Sequence, residues 1–204
     1  MNAVRPFCLP VLTCLFLSLT GCVGGTTPPS QFYLLEPLNE NESSVIETKT
    51  KPVIALGRVR IPRYVDRPQI VVGTGGNTYH LNEFNRWAES LDANISRVLM
   101  QNLSMLVPAE VVEARSSSLA RQAKLRVSLT ILEFHVDQKG QAGLTAQWFI
   151  RRGQDVIQNR QVSYRLPGST DDYSTIVAAL NECLNRMSRD LSASLQQVLQ
   201  EMRS

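Results

Sequence analysis

The pattern of apolar positions predicts a first amphipathic helix over about residues 90–106. Ser90 can cap its start, and Pro108 prevents the helix from continuing. The apolar residues recur every three or four positions, as they must to form one stripe along a helix: Leu91, Ile95, Val98, Leu99, Leu103 and Leu106.

A second amphipathic helix is predicted near the end of the chain. Thr170 or Asp171 can cap it, and its apolar stripe extends from Tyr173 to Val198. Its length of about 40 Å matches the width of one domain. A membrane-binding face is the alternative interpretation of either stripe, but neither helix has the lysine-rich polar face of that role. We therefore predict that both helices pack against a core.

Between and around the helices, apolar and polar residues alternate as they do in half-buried strands. The parity of this alternation shifts near Ile131, which predicts a β-bulge there. A glycine-rich loop at Gly73–Asn77 predicts a hairpin; it lacks the following Lys-Ser/Thr of a phosphate-binding loop. The predicted strands are 32–35, 53–61, 69–72, 78–81, 109–114, 125–136, 142–150 and 156–166.

These elements predict an α+β fold, a single domain with a mostly antiparallel or mixed sheet and two amphipathic helices packed on one face. The chain has 204 residues, of which 43% are hydrophobic, which is enough for one core. Its formal net charge is only +3, which gives no support to nucleic-acid binding.

The first residues have the pattern of a bacterial lipoprotein signal peptide. Arg5 precedes an apolar run at residues 7–19, which is too short to span a bilayer comfortably. The run ends in Leu19-Thr20-Gly21-Cys22, which resembles the lipobox more than the end of an ordinary secretory signal or an uncleaved anchor. We therefore predict a signal peptide at 1–21, a lipidated Cys22 with a flexible tether at 22–31, and one domain at 32–204. The tether reaches at most about 30 Å.

The sequence contains no recognisable catalytic or metal-binding constellation. Its two histidines, His80 and His135, stand apart, and no spacing of ligands typical of a metal site is present. Only Cys183 would remain as a free thiol in the lipidated protein, and we interpret it as a small core residue. We expect no cofactor, no metal and no enzymatic activity.

The candidate interaction site is a segment with four arginines within ten positions. Arg58 and Arg60 share one face of the predicted strand by its period of two, and the segment also contains Arg63, Tyr64 and Arg67. A solvated strand face, with Asp66 paired to a neighbouring arginine, would explain this pattern. A docking patch for a partner or for anionic headgroups would explain it as well.

Trp87 lies in a polar context and is a further candidate. It could anchor an interface, or it could simply close over the sheet from a loop.

The same region resembles a known family. The strings Ile61-Pro62-Arg63-Tyr64-Val65-Asp66-Arg67-Pro68-Gln69-Ile70-Val71 and Leu81-Asn82-Glu83-Phe84-Asn85-Arg86-Trp87-Ala88-Glu89-Ser90-Leu91 are similar to the PqiC/YmbA family of ABC-transporter auxiliary lipoproteins. The early Phe32-Tyr33-Leu34-Leu35 and the late Asp171-Asp172-Tyr173 fit the same family, so the resemblance covers about residues 30–200.

This resemblance implies a protein that acts by docking and assembly, and not by catalysis. It implies an outer-membrane anchor on the periplasmic side, in agreement with Val23, because an Asp after the lipidated cysteine favours inner-membrane retention in enteric-type sorting. The implied partner is a periplasmic MCE-domain protein of an intermembrane lipid transport system that contributes to envelope integrity. A structural scaffold for an outer-membrane assembly complex is the alternative.

We also expect a homo-oligomeric ring. One lipidated domain needs its apolar faces for its own core and cannot enclose a lipid path alone, whereas cyclic closure of several copies can.

Overall fold

A computed structural model describes residues 28–39, 51–115 and 118–202, and these form an α+β domain. Its eight strands are β1 (Gln31–Tyr33), β2 (Val53–Leu56), β3 (Gln69–Gly75), β4 (Thr78–Trp87), β5 (Glu110–Glu113), β6 (Leu125–Val136), β7 (Gln141–Arg152) and β8 (Asp155–Pro167). Its helices are α1 (Leu91–Leu106) and α2 (Tyr173–Glu201), and a 3₁₀ helix spans Ser118–Gln122. The predicted fold class is confirmed.

The mixed sheet is organised around β6. One edge of β6 pairs antiparallel with β7, which pairs antiparallel with β8. The other edge is shared, since β2 runs parallel to the first part of β6 and β3 meets its end through Val72 and Val136. Beyond β2 lies β5, and beyond β3 lie β4 and then β1.

Most strand predictions are confirmed, but the strand predicted at 53–61 is too long. β2 ends at Leu56, and only an isolated bridge joins Arg60 to Thr130. The alternation of burial nevertheless continues beyond the strand, because Arg58 and Arg60 are exposed while Val59 between them is buried. The strand predicted at 78–81 is too short, because β4 continues to Trp87.

The predicted hairpin and bulge are both present. The turn between β3 and β4 consists of Gly76 (φ 56°) and Asn77 (φ 63°), two positive φ angles as a type I′ turn requires. In β6 the register shifts between Ile131 and Glu133, so that Leu132 is the extra residue and is 44% exposed.

Both predicted helices are confirmed, and their starts are refined. Ser90 is the N-cap residue of α1, but its side chain accepts no capping hydrogen bond. Asp172 caps α2 by accepting a hydrogen bond from the backbone N–H of Ser174. In the described part of the chain, neither helix is apolar enough over a sufficient length to traverse a bilayer.

The core lies between the helices and one face of the sheet. Strands β6 and β7 direct alternate side chains into it, with Leu129 and Trp148 among those that are essentially inaccessible. The stripe of α2 covers this face, and Cys183 is fully buried within it, as predicted. Burial raises the pKa of the Cys183 thiol to about 11, which keeps it protonated and unreactive.

Buried asparagines fasten the N-terminal segment into the groove between the two helices. The side-chain carbonyl of Asn94 accepts the backbone N–H of Leu35, and that of Asn102 accepts the N–H of Leu38, each at 2.8 Å. Asn94, Asn102 and Leu35 are completely buried. These bonds satisfy backbone N–H groups of a segment that has no neighbouring strand at these positions.

Asn102 also joins the helices to each other. Its side-chain nitrogen donates to the Asn185 carbonyl oxygen at 2.9 Å and to the Ser188 hydroxyl at 3.0 Å. One amide on α1 thus contacts both the N-terminal segment and α2.

We expect Asn102→Ala to lower the free energy of unfolding by about 3 kcal/mol, because it leaves the Leu38 N–H and the Asn185 oxygen buried without partners. Urea unfolding followed by circular dichroism measures this effect. Gln101→Ala, at the exposed neighbouring position of the same helix, should change stability by no more than about 0.5 kcal/mol. Equal effects of the two variants would contradict a structural role for the Asn102 hydrogen bonds.

Candidate functional site

The candidate site is the arginine segment between β2 and β3, together with the side chains it contacts. Arg58 reaches the beginning of α1, where its Nη2 atom lies 2.8 Å from Oδ2 of Asp92 while 70% of the Arg58 side chain stays exposed. The hydrogen bond to Asp92 raises the pKa of Arg58. Burial alone would raise the pKa of Asp92, but hydrogen bonds from Arg58 and Ser90 lower it overall. The pair is therefore ionised at neutral pH.

Arg60, Arg63 and Arg67 also have exposed side chains. The backbone of Arg60 is fixed to the sheet, because its N–H donates to the carbonyl of Leu129 at 3.1 Å and its carbonyl accepts from the N–H of Ile131 at 2.8 Å. The arginines are thus presented to solvent from a backbone that is anchored. The Asp66 ion pair considered from the sequence is replaced, for Arg58, by the pair with Asp92.

Tyr64 occupies a turn in this segment and is half-buried. The turn is closed by the Pro62 carbonyl, which accepts the N–H of Val65 at 3.1 Å. The Tyr64 ring stacks on Tyr79 with 5.2 Å between centroids, and its hydroxyl lies 3.0 Å from Nδ1 of His135. Burial is the main reason that the pKa of Tyr64 rises to about 12. Tyr64, Tyr79 and His135 form what we call the aromatic cluster.

The aromatic cluster continues into an ion pair on the outer face of the sheet, the face away from the helices. The bulge at Leu132 reverses the parity of β6, so Glu133 and His135 point outward. Glu133 pairs with Arg165 of β8 at 2.6 Å and lies 3.8 Å from Nε2 of His135. Burial lowers the pKa of His135 more than the carboxylate of Glu133 raises it. The His135 ring is therefore neutral at pH 7, and its Nδ1 can accept a hydrogen bond from the Tyr64 hydroxyl.

Trp87 is not available as an interface anchor, and this part of the candidate site is corrected. It is the last residue of β4, only 6% exposed, with its ring 6.4 Å from that of Phe134 in the core. Its backbone N–H donates to the Pro68 carbonyl at 2.7 Å. Of the two alternatives considered from the sequence, the structure agrees with a residue that closes over the core, although Trp87 belongs to a strand and not to a loop.

Cys22, the predicted lipidation site, lies outside the described residues. The remaining candidates are not gathered at one point. Arg58 contacts α1, whereas Tyr64 contacts the outer face of the sheet. Sequence reasoning missed Tyr79, Glu133 and Arg165, although the parity shift at Ile131 already indicated that Glu133 and His135 would share a face.

The described residues show the features of a binding surface. Residues 28–39, 51–115 and 118–202 contain no group of three His, Cys, Asp or Glu side chains placed to hold a metal ion. Exposed arginines next to a partly exposed aromatic cluster have the composition of a protein–protein interface, in which arginine and tyrosine are enriched.

Comparison with known proteins agrees with this picture. The chain is 23% identical over 172 residues to the intermembrane transport lipoprotein PqiC of Escherichia coli (strain K12), covering 83% of this chain and 88% of PqiC. PqiC of Shigella flexneri matches equally well, with the same identity and the same coverage.

Two solved structures share the fold. A crystal structure described only as that of an uncharacterized protein has a TM-score of 0.68 at 21% identity, and the match covers 82% of this chain and 99% of that one. A protein from Xanthomonas campestris has a TM-score of 0.67 at 15% identity, with 86% of this chain and all of the other covered.

The profile of a family described as the ABC-type transport auxiliary lipoprotein component matches residues 33–192. This range contains all of α1, the first two thirds of α2 and all of the strands from β2 to β8. The resemblance drawn from the arginine segment is thereby confirmed, and the chain belongs to the family of ABC-type transport auxiliary lipoprotein components.

Proposed function

We propose that this protein is an outer-membrane-anchored periplasmic lipoprotein that serves an MCE-type intermembrane lipid transport system. The family membership and the similarity to an intermembrane transport lipoprotein carry this proposal. The protein acts by docking a partner, a periplasmic MCE-domain protein, and contributes in this way to envelope integrity. The exposed arginines Arg58, Arg60, Arg63 and Arg67 and the neighbouring Tyr64 are the proposed contacts.

The proposed chain organisation has three parts: a signal peptide at 1–21, a lipidated cysteine and tether at 22–31, and the docking domain at 32–204. β1 begins at Gln31, so the ordered domain takes up the last residue of this tether. Cleavage before Cys22 would leave the acylated residue as the new N-terminus and hold the domain close to the membrane.

The alternative function is a structural scaffold for an outer-membrane assembly complex, without lipid transport. It would use the same anchor and the same kind of exposed surface. The similarity to PqiC favours transport, since intermembrane transport is part of the description of that relative.

We further propose that the domain assembles into a homo-oligomeric ring around the end of an MCE tunnel. The apolar stripes of both helices are buried in the core of the domain, so the described residues of a single copy offer no continuous apolar path. The hairpin turn at Gly76 and Asn77 and the surface around Arg60 are exposed and are the proposed contacts between copies. Lipid anchors would hold all copies at one height, so that weak contacts suffice.

Cys22→Ser should abolish lipid anchoring, because serine lacks the thiol that is acylated. We expect the variant in the soluble periplasmic fraction or as unprocessed precursor, measured by fractionation and intact mass. Cys14→Ser, within the predicted signal peptide, serves as the matched control and should fractionate like the wild type. Normal processing and outer-membrane fractionation of Cys22→Ser would refute the lipidation proposal.

Crosslinking in intact cells, followed by purification of the protein from membranes, should recover an MCE-domain protein. Cells expressing Cys22→Ser provide the control, because loss of the anchor should reduce this recovery. Recovery of β-barrel assembly proteins without any MCE-domain protein would support the scaffold instead.

The ring predicts a mass larger than that of a monomer. Light scattering of the lipidated protein in detergent, over a range of concentrations, measures it. Arg60→Glu should shift the distribution toward the monomer at unchanged melting temperature, since its side chain is exposed. Lys51→Glu, which changes an exposed charge away from the proposed contacts, should not. A monomer at every concentration would eliminate the ring and leave lipidation unaffected.

A further inference from the structure

Four arginines gather at the end of the sheet where β6 begins and β7 ends. Arg126 of β6 and Arg151 of β7 are direct cross-strand neighbours, so their side chains leave the same face. Arg152 follows at the β7–β8 turn, and its side chain leaves the opposite face at the same end of the sheet. Arg121, in the 3₁₀ helix, lies next to Ala120, whose carbonyl accepts from Nη2 of Arg126 at 2.9 Å. We call these four residues the arginine cluster.

The arginine cluster lowers the stability of the isolated domain. Like charges directly opposite each other on paired strands are destabilising by roughly 0.2–1 kcal/mol. None of the ion pairs between described residues includes any of these four arginines. Asp155 is the register partner of Arg152 across the turn, but the two side chains form no ion pair.

The cluster also differs from a solvated face in its composition. Three of its members, Arg121, Arg126 and Arg152, are exposed, and Arg151 is intermediate. All are arginine, whose planar guanidinium forms bidentate bonds with carboxylates and loses less hydration than lysine would.

The arginine cluster lies far from the point where the N-terminal segment enters the domain. Pro28 and Pro29 line a cavity together with Asp171 and Tyr173, so the N-terminal segment arrives at the beginning of α2. That end also holds the β6–β7 turn, because the Gly168 N–H donates to the Gly140 carbonyl. The arginine cluster lies at the opposite end of β6.

The distances support this separation. The ten residues from Arg126 to Val136 extend about 30 Å along β6. The chain from Cys22 to Pro28 spans at most about 20 Å. The cluster therefore lies at the end of the domain opposite to the entry of the tether, farther from that entry than the tether is long.

We propose that the arginine cluster binds a carboxylate-rich surface of a protein partner on the side of the domain opposite its lipid anchor. The proposal rests on the anchoring at Cys22 given under the proposed function, but it does not depend on the partner containing an MCE domain. Partner carboxylates relieve the Arg126–Arg151 repulsion and supply the counter-charges that the domain lacks. The cluster therefore steers and orients the partner.

Site-specific photocrosslinking of the full lipidated protein in its native membranes tests the proposal. The photoreactive residue is placed at Gln154, in the turn between Arg152 and Asp155, and in parallel at the exposed Gln138, in the β6–β7 turn at the other end of the sheet. We expect Gln154 to crosslink to a protein segment rich in Asp and Glu, identified by peptide mapping, and Gln138 not to crosslink to that segment. Combining Arg126→Glu with Arg151→Glu should reduce the Gln154 crosslink at least about tenfold. Lys139→Glu, an exposed charge at the far end, is the matched control and should leave the yield unchanged.

A stability measurement distinguishes a binding role from a structural one. Arg151→Thr removes the cross-strand repulsion and introduces a good strand former, so the melting temperature of the full protein should rise by about 2 °C while the crosslink weakens. A residue that only supports the fold would show the reverse.

Crosslinks from Gln154 to lipid instead of protein, or a yield that the double charge reversal does not change, would overturn the proposal. A lower melting temperature of Arg151→Thr would overturn it too. Crosslinking to an acidic protein without an MCE domain would uphold the arginine cluster and count against the proposed transport function, so the two failures can be told apart.

Discussion

The side chain of Asn102 is the interaction on which the arrangement of this domain depends. One buried amide accepts a hydrogen bond from Leu38 and donates to Asn185 and Ser188, so it connects the N-terminal segment, α1 and α2 at a single point. An amide buried in an apolar core is tolerated only when its hydrogen bonds are made. The requirement selects one relative position of the two helices, where an entirely apolar interface would allow several.

The bulge at Leu132 has a comparable influence on the outer surface. Without it, Glu133 and His135 would face the core, where neither could be accommodated. With it, Glu133 meets Arg165 and His135 meets Tyr64. One inserted residue thus allows β6 to contribute apolar side chains to the core along its whole length and still present the aromatic cluster outside.

Prediction from the sequence was most accurate for elements whose apolar positions recur with a regular period. The two helices and the bulge follow from periodicity, because a change of parity is visible in one dimension. The strand predicted at 53–61 was too long, since the alternation of burial continues through Arg58 and Arg60 after the regular strand pairing has ended at Leu56. For Trp87 the sequence left an interface anchor and a residue closing over the sheet both open, and its burial decides for the second.

What could not be predicted depends on pairings between distant residues. Asn102 and Ser188 are 86 positions apart, and nothing in either helix alone indicates a polar contact between them. The opposition of Arg126 and Arg151 requires the register of β6 and β7, which the Gly140 turn and the bulge set jointly. The family match covers most of the domain, yet it does not identify which of its arginines are neighbours.

The way the N-terminal segment enters the fold determines how the domain bears tension. β1 runs parallel to β4, and the segment after it is held by amides of α1 and α2. If one end of the molecule is held at the anchor and the opposite end by a partner, these bonds are loaded side by side, in shear, and must break together. If β1 ran antiparallel to β4, the same load would break these hydrogen bonds one after another. The domain is therefore built to transmit a mechanical load between two attachment points without peeling open at its first strand.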